Sequence, residues 1–380
     1  MAGYQKFLHV GLALDPIHVG TGGARLGRVD LTIVRDPVTR VPKIPGSSLA
    51  GVYRTYVAMA LEEQRSQQNP QRSRPYYPDC AGLGQPRGDY LGHCAQPDCP
   101  VCTVFGFARG RDQSGGFAGL AAFTDAHVLL FPVPTRQGPR WITCPDALRL
   151  IGLEVQGVDK NAVYLKSAQN NPLNLGWLLL PVEICKQFQH IVDRLRTFLK
   201  SLKNPEHILN RLALIPDHLF SHIVNSNLEV RTSVAINPAT GAAEEQALFS
   251  YEALPRGTVL AWEIIAKNPK HFRIEGKEIS AKVNGNKIDD PEKVFKVTQK
   301  AHKYLEHLGV GGMGTRGMGR LKVLSDGQSP STQSVDCGAS STSTTGPSAS
   351  ATGPSSSAPA PSTGDTAASS SGTTEQGGEQ

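Results

Sequence analysis

Four of the chain's seven cysteines, Cys80, Cys94, Cys99 and Cys102, fall in one loop-like stretch, DCAGLGQPRGDYLGHCAQPDCPVCTVFG. The C-x-x-C pair at Cys99 and Cys102 can place two thiolates on one ion, and Cys80 with Cys94 would complete the tetrahedral set of a structural Zn²⁺. His93 is an alternative ligand in place of Cys94 or Cys80. Reduced thiols packing a loop are the metal-free alternative. A redox C-x-x-C is disfavoured, since no helix of thioredoxin type is expected to follow it.

Three glycine-bearing stretches suggest a second chemistry, the binding of an anion. After Pro16 and Ile17 comes His18-Val-Gly20-Thr21-Gly-Gly, a loop that lets a ligand approach the backbone closely. His18 reads at least as well as a histidine hydrogen-bonded at a strand end as it does as a catalytic one. Gly46-Ser47-Ser48 ends a Pro-rich connection where Leu49, Val52, Tyr53 and Tyr56 begin a helical spacing, so a serine N-cap and free N–H groups make a phosphate seat. Arg54 adds a charge one or two turns on. The third stretch, VGGMGTRGMGRLKVL, lacks Walker spacing and any βαβ context. Its bare backbone, with Arg316 and Arg320, suits a nucleic-acid backbone.

Several elements must carry these groups. Phe7 to Leu14 reads as a strand. Val29, Leu31 and Ile33 alternate as a second strand with one buried face, and Asp30, Thr32 and Arg35 point away. Gln64 to Tyr77 is polar and Pro-rich, an insertion. Ala118 to Pro134 reads as a buried strand region, with Asp125 at a turn. Val182 to Leu202 has the spacing of an amphipathic helix, and His218 to Asn225 of a shorter one. Two alternating runs flank Asn237-Pro-Ala-Thr-Gly241, a hairpin signal. From Ser325 onward Ser, Thr, Gly, Pro and Ala dominate, and a disordered tail is expected.

Strands alternate with a few helices over 380 residues, which suits an α+β domain. The formal charge of +6 favours an acidic partner only mildly. No stretch is apolar enough for a membrane span, and a cytoplasmic protein is expected.

The stretch VDLTIVRDPVTRVPKIPGSSLAGVYR resembles the signature of the RAMP superfamily, in particular the repeating backbone subunit of type III CRISPR effector complexes. GLAAFTDAHVLLFPV with WITCP, EEQALFSYEALPRGTVL and VGGMGTRGMGRLKVL narrow the likeness to the type III-B (Cmr) complex. The resemblance implies a ferredoxin-like (RRM-type) fold with insertions: a single domain over 1–324, an insertion over about 64–106 with the zinc site, a protruding thumb hairpin over about 226–262, and a tail over 325–380. Its implied partners are a guide RNA, complementary target RNA, other copies of itself and other Cmr subunits, with no membrane.

The implied RNA-binding residues are His18, Gly20, Thr21, Lys43, Ser47, Ser48, Arg54, Gly311, Gly312, Gly314, Thr315, Arg316, Gly317 and Arg320. Asp30 is the expected catalytic residue, holding Mg²⁺ or Mn²⁺ or orienting the attacking 2′-hydroxyl; the alternative is a strand-end carboxylate paired with Arg28 or Arg35. Other readings are an architectural RNA-binding subunit without chemistry, and a guide-maturing endoribonuclease dependent on His18. Two positions depart from the family pattern: Ala50 stands where lysine is common, and Arg136 follows Pro132-Val133-Pro134-Thr135 where Pro-Val-Arg-Ser is common.

Overall fold

The computed structural model describes residues 3–22, 29–68, 74–82, 92–109, 115–167, 172–244 and 248–338. The expected disordered tail beyond 338, and Arg28, lie outside the described residues.

β1 (Tyr4–Ala13) lies inside a ten-stranded sheet, so its run FLHVGLA is apolar on both faces. After it come β2 (Lys43–Ile44), α1 (Gly46–Gln68), the short α2 (Pro100–Phe105) and β3 (Ala126–Val133). Then follow β4 (Val182–Ile184), α3 (Phe188–Leu199) and α4 (Asp217–Ser226). The hairpin is β5 (Glu229–Ser233) and β6 (Phe249–Ala253), and β7 (Val259–Lys267) returns to the sheet. α5 (Pro291–Gln299), α6 (His302–His307), β8 (Leu321–Gln328) and β9 (Gln333–Asp336) complete the described chain.

The middle of the sheet runs β3-β7-β1-β8, every neighbour antiparallel. Period-two alternation divides the core in two: on β7, Leu260, Trp262, Ile264 and Ala266 face one side, while Val259 and Ala261 face the other. α1 and α5 cover the first side with Leu49, Tyr53, Val57, Val294 and Phe295, whose ring stacks on Phe7 at 3.9 Å. α3 covers the second with Ile191, Leu195 and Leu199.

Four boundaries differ from the sequence reading. Val29 and Ile33 are buried and Asp30 is exposed, but the segment is extended chain making two isolated bridges, Leu31 to Tyr251 and Ile33 to Gly20, instead of a ladder. The expected helix over 182–202 begins only at Phe188, because Val182–Ile184 pairs in parallel with Val163–Leu165. α1 continues to Gln68, past the expected start of the insertion at Gln64. Order also extends beyond 324: β9 pairs in parallel with Leu153–Gln156, Val335 and Cys337 are buried, and Cys337 is disulfide-bonded to Cys185. The cysteine count had not suggested that bond.

Candidate functional site

Asp30 sits in the extended segment where it crosses the root of the hairpin. Leu31 bonds to both neighbours of Tyr251, its N–H donating to Ser250 O at 3.1 Å and its carbonyl accepting from Glu252 N at 3.0 Å. This places Asp30 beside Ser250, whose backbone N–H and hydroxyl both donate to Asp30 Oδ2, at 2.7 and 2.9 Å. The Ser250 N–H, then its hydroxyl, hold the Asp30 carboxyl below its ordinary value, so it is ionised at neutral pH while exposed to solvent. Arg35 does not pair with it: its guanidinium goes to Glu252 Oε2 at 2.8 Å and Asn225 Oδ1 at 2.8 Å. Ser250 and Glu252 were not singled out from the sequence, although they alternate with Tyr251 in the quoted FSYEALP stretch.

His18 is only 5% exposed. Its Nδ1 lies 2.6 Å from Glu252 O, and because a carbonyl can only accept, Nδ1 carries the hydrogen. Its own carbonyl accepts from Gly312 N at 2.8 Å. The residue therefore pins the glycine-rich loop to the hairpin, and its buried ring is not presented as a base or a surface contact. Gly311 is required here: with φ at +87°, a Cβ would lie 2.3 Å from His18 O. The loop exposes Gly311, Gly312, Gly314, Thr315, Arg316 and Gly317, and across from it Gly20 and Thr21 are exposed as well. Arg316 lies 5.0 Å over the Phe249 ring of β6. A small cluster of Tyr251, Ala253 and Met318, with Leu31, Phe249 and Met313, ties the Asp30 segment, hairpin and loop together. Arg320 is exposed but engaged by Asp15, at 2.5 and 3.1 Å.

The expected phosphate seat at α1 is arranged differently. Asp125 occupies the helix start, accepting from Gly46 N at 2.8 Å. Lys43 reaches the same carboxylate at 2.7 Å and Asp36 at 3.4 Å. Ser48 N donates to Pro45 O, and neither serine caps the helix through its side chain among the described bonds. Arg54 is buried on the far side of the helix start, donating to Cys80 O at 2.8 Å and Gly106 O at 2.7 Å. Lys43 and Arg54 are thus withdrawn from the expected RNA set. Only Ser47 is exposed there, with Ser48 half-buried.

Cys80, Cys94, Cys99 and Cys102 are all buried, their sulfurs within 4.8 Å of one another. The pairs Cys94–Cys102 and Cys80–Cys99 stand 3.7 and 3.9 Å apart. A tetrahedral ion with metal–sulfur bonds of about 2.3 Å requires sulfur–sulfur edges of about 3.8 Å, so the donor set fits zinc. Cys99 caps α2, the short helix that the sequence reading had not expected after the C-x-x-C. His93 stands outside the tetrad; burial, then Arg54, pull its ring down to about 4. Arg54 lies close enough to offset the negative charge four thiolates would carry.

The chain is 26% identical over 338 residues to the CRISPR system Cmr endoribonuclease Cmr4 of Pyrococcus furiosus, covering 84% of this chain and 95% of that one. It is 31% identical over 109 residues to the Cms endoribonuclease Csm3 of Methanothermobacter thermautotrophicus, 29% of this chain and 32% of that one. Among solved structures, a type III-B Cmr-beta complex bound to cognate target RNA contains a chain that superposes with a TM-score of 0.54 at 13% identity, covering 85% of this chain and 98% of that one. A crystal structure of Cmr4 superposes with a TM-score of 0.52 at 18% identity, covering 86% and 100%; these two likenesses bear on fold alone. The model of the RAMP superfamily matches residues 12–322, and the chain belongs to that family.

Proposed function

We propose that this chain is the repeating backbone subunit of a type III-B CRISPR effector complex, lining up with copies of itself and other Cmr subunits along a guide RNA and cutting the paired target RNA. The observation that carries the reading is the bond from Ser250 on the hairpin to Asp30: the element that would displace a target nucleotide and the carboxylate beside the cut are one unit. The order β3-β7-β1-β8, with α1 after β1 and α5 after β7, supports the ferredoxin-like fold. The hairpin's exposed Val230, Val234, Ile236 and Leu248 support the thumb, confined to Glu229–Ala253 since β7 belongs to the sheet. The glycine-rich loop and Gly20-Thr21 offer the backbone groups that would follow RNA phosphates.

Displacing a nucleotide lets the adjacent 2′-hydroxyl come in line with its phosphate. Asp30, ionised and held by Ser250, accepts that hydroxyl's hydrogen bond and orients it; as a carboxylate it is a weak base at neutral pH. As the 2′-oxygen bonds to phosphorus, the bond to the 5′-oxygen breaks; the hydroxyl's proton passes to water and the departing 5′-oxygen takes one from water, leaving a 2′,3′-cyclic phosphate on one product and a 5′-hydroxyl on the other. A lone exposed carboxylate is a fitting partial ligand for Mg²⁺ or Mn²⁺ shared with RNA phosphates, and such an ion would neutralise charge at the reacting phosphate.

Asp30→Ala in the reconstituted complex is expected to abolish target cutting while guide binding and assembly stay at parent levels. Cutting that survives would leave the architectural reading. The cysteine tetrad is proposed to hold a structural zinc that fixes a loop with little core of its own. Replacing Cys99 and Cys102 by serine should release the ion and lower the melting temperature, with little change in cutting per assembled subunit. Equal metal content and equal melting would leave four packed thiols.

A further inference from the structure

On the side of the sheet covered by α1 and α5, a second group of donors comes together. His9 on β1 is in register with Trp262 on β7 and with Asp326 on β8, so His9 and Asp326 emerge on one face. α6 lays His302 across that face, its ring 5.4 Å from that of His9 and its Nδ1 3.5 Å from Asp326 Oδ2. One ligand atom from each of His9, His302 and Asp326 lies within 4.8 Å of the others.

The protonation of His9 is set by its surroundings. Its ring is wholly buried, and Nδ1 donates to Phe7 O at 3.0 Å, so Nε2 carries the lone pair. Among the described residues that nitrogen has no hydrogen-bond partner, and neither has His302 Nε2. Buried polar atoms without partners are uncommon, and two converging on one spot call for an explanation such as an ion or an internal water. Gln299 Nε2 donates to Asp326 Oδ2 at 2.6 Å. A carbonyl behind one imidazole and an amide behind the carboxylate are the outer contacts that orient metal-binding side chains.

We propose that His9, His302 and Asp326 bind a second divalent cation, of the zinc class that two imidazoles and one carboxylate favour. The ion joins β1, β8 and α6. α6 ends just before the glycine-rich loop and β8 begins just after it, so the ion holds both ends of the loop that carries Arg316. The rival occupant is an internal water hydrogen-bonded to the same nitrogens.

The test counts metal on the full-length chain, dialysed against metal-free buffer, by mass spectrometry. About two zinc ions per chain are expected, one per site. His9→Phe, which keeps an aromatic ring beside Trp262 and leaves no bare nitrogen, should lower the count by one with the cysteines intact. In the Cys99→Ser, Cys102→Ser background, Co²⁺ should give a spectrum free of thiolate charge transfer, lost again in His302→Ala. One ion in the parent, or a His9→Phe count equal to the parent's, overturns the site and leaves water there. No ion in the parent removes both this site and the cysteine one. If the serine variant does not fold, the His9→Phe count decides.

Discussion

The start of α1 and the glycine-rich loop are two glycine-bearing segments of one chain, both suited by composition to hold a phosphate, and the fold treats them in opposite ways. At α1 the protein supplies its own anion: Asp125 takes the Gly46 N–H, and Lys43 is shared between Asp125 and Asp36. At the loop, Gly311, Gly312 and Gly314 to Gly317 stay exposed and no carboxylate of the described residues bonds to Arg316, which rests on Phe249. A phosphate arriving at α1 has to displace a carboxylate already bonded and partly buried. At the loop it displaces water. Glycines and nearby cations therefore mark an anion seat only where no acidic residue from elsewhere in the chain has filled it.

The largest effect should come from the loop. Gly311→Ala forces a side chain into a left-handed backbone and against His18 O. Such a change costs more than about 1 kcal/mol and detaches the loop from the hairpin. A fall in guide affinity of tenfold or more is expected in filter binding, with the fold retained by circular dichroism. Parent-like affinity would mean the loop is not an RNA surface.

A smaller effect, of opposite sign, is expected at α1. Asp125→Asn keeps an acceptor for Gly46 N–H but removes one of the two charges on Lys43. RNA binding should tighten a few-fold and its salt dependence steepen by up to about one phosphate contact. The same variant has a pH signature. Burial works to raise the Asp125 carboxyl, but Lys43 and the Gly46 N–H outweigh it and the net value is lowered. A group lowered on folding adds stability above its unfolded value of about 4, and that stability is lost as pH falls through the lower folded value. Asp125→Asn should flatten the acid limb of a melting-temperature profile below about pH 4. An unchanged limb and unchanged RNA affinity would show that Asp125 does not guard the seat.

Much of this was readable in the sequence, and the misses share a cause. The hairpin came from Asn237-Pro-Ala-Thr-Gly241, the α4 helix from the helical spacing over His218 to Asn225, and the cysteine tetrad from its clustering. These are local signals. What failed were charges whose partners lie far along the chain: Arg54 looked free until Cys80 and Gly106 carbonyls enclosed it, and Lys43 until Asp125 did. The ordered end of the domain was missed for a similar reason. Gln333–Asp336 is polar and sits in Ser/Thr-rich chain, and only pairing with Leu153–Gln156 makes it a strand. Val335 and Cys337, two apart and both buried, were the one local hint.

The smallest effect is expected at Ala50, on the first turn of α1, where the RAMP pattern commonly has lysine. Its side chain is half-buried, one turn from the Asp125 and Lys43 pair. A lysine there is long enough to extend its ammonium into solvent while packing its stem on the helix. It would add a cation at the helix start, and it would not be neutralised by Asp125, which Lys43 holds. Ala50→Lys should thus tighten guide binding by less than Asp125→Asn does, and raise the salt slope by at most about one. Combined, the two substitutions should add, since one removes a blocking anion and the other supplies a cation. If the pair binds no better than Asp125→Asn alone, position 50 faces away from the RNA, and the lysine common elsewhere has no seat to serve in this chain.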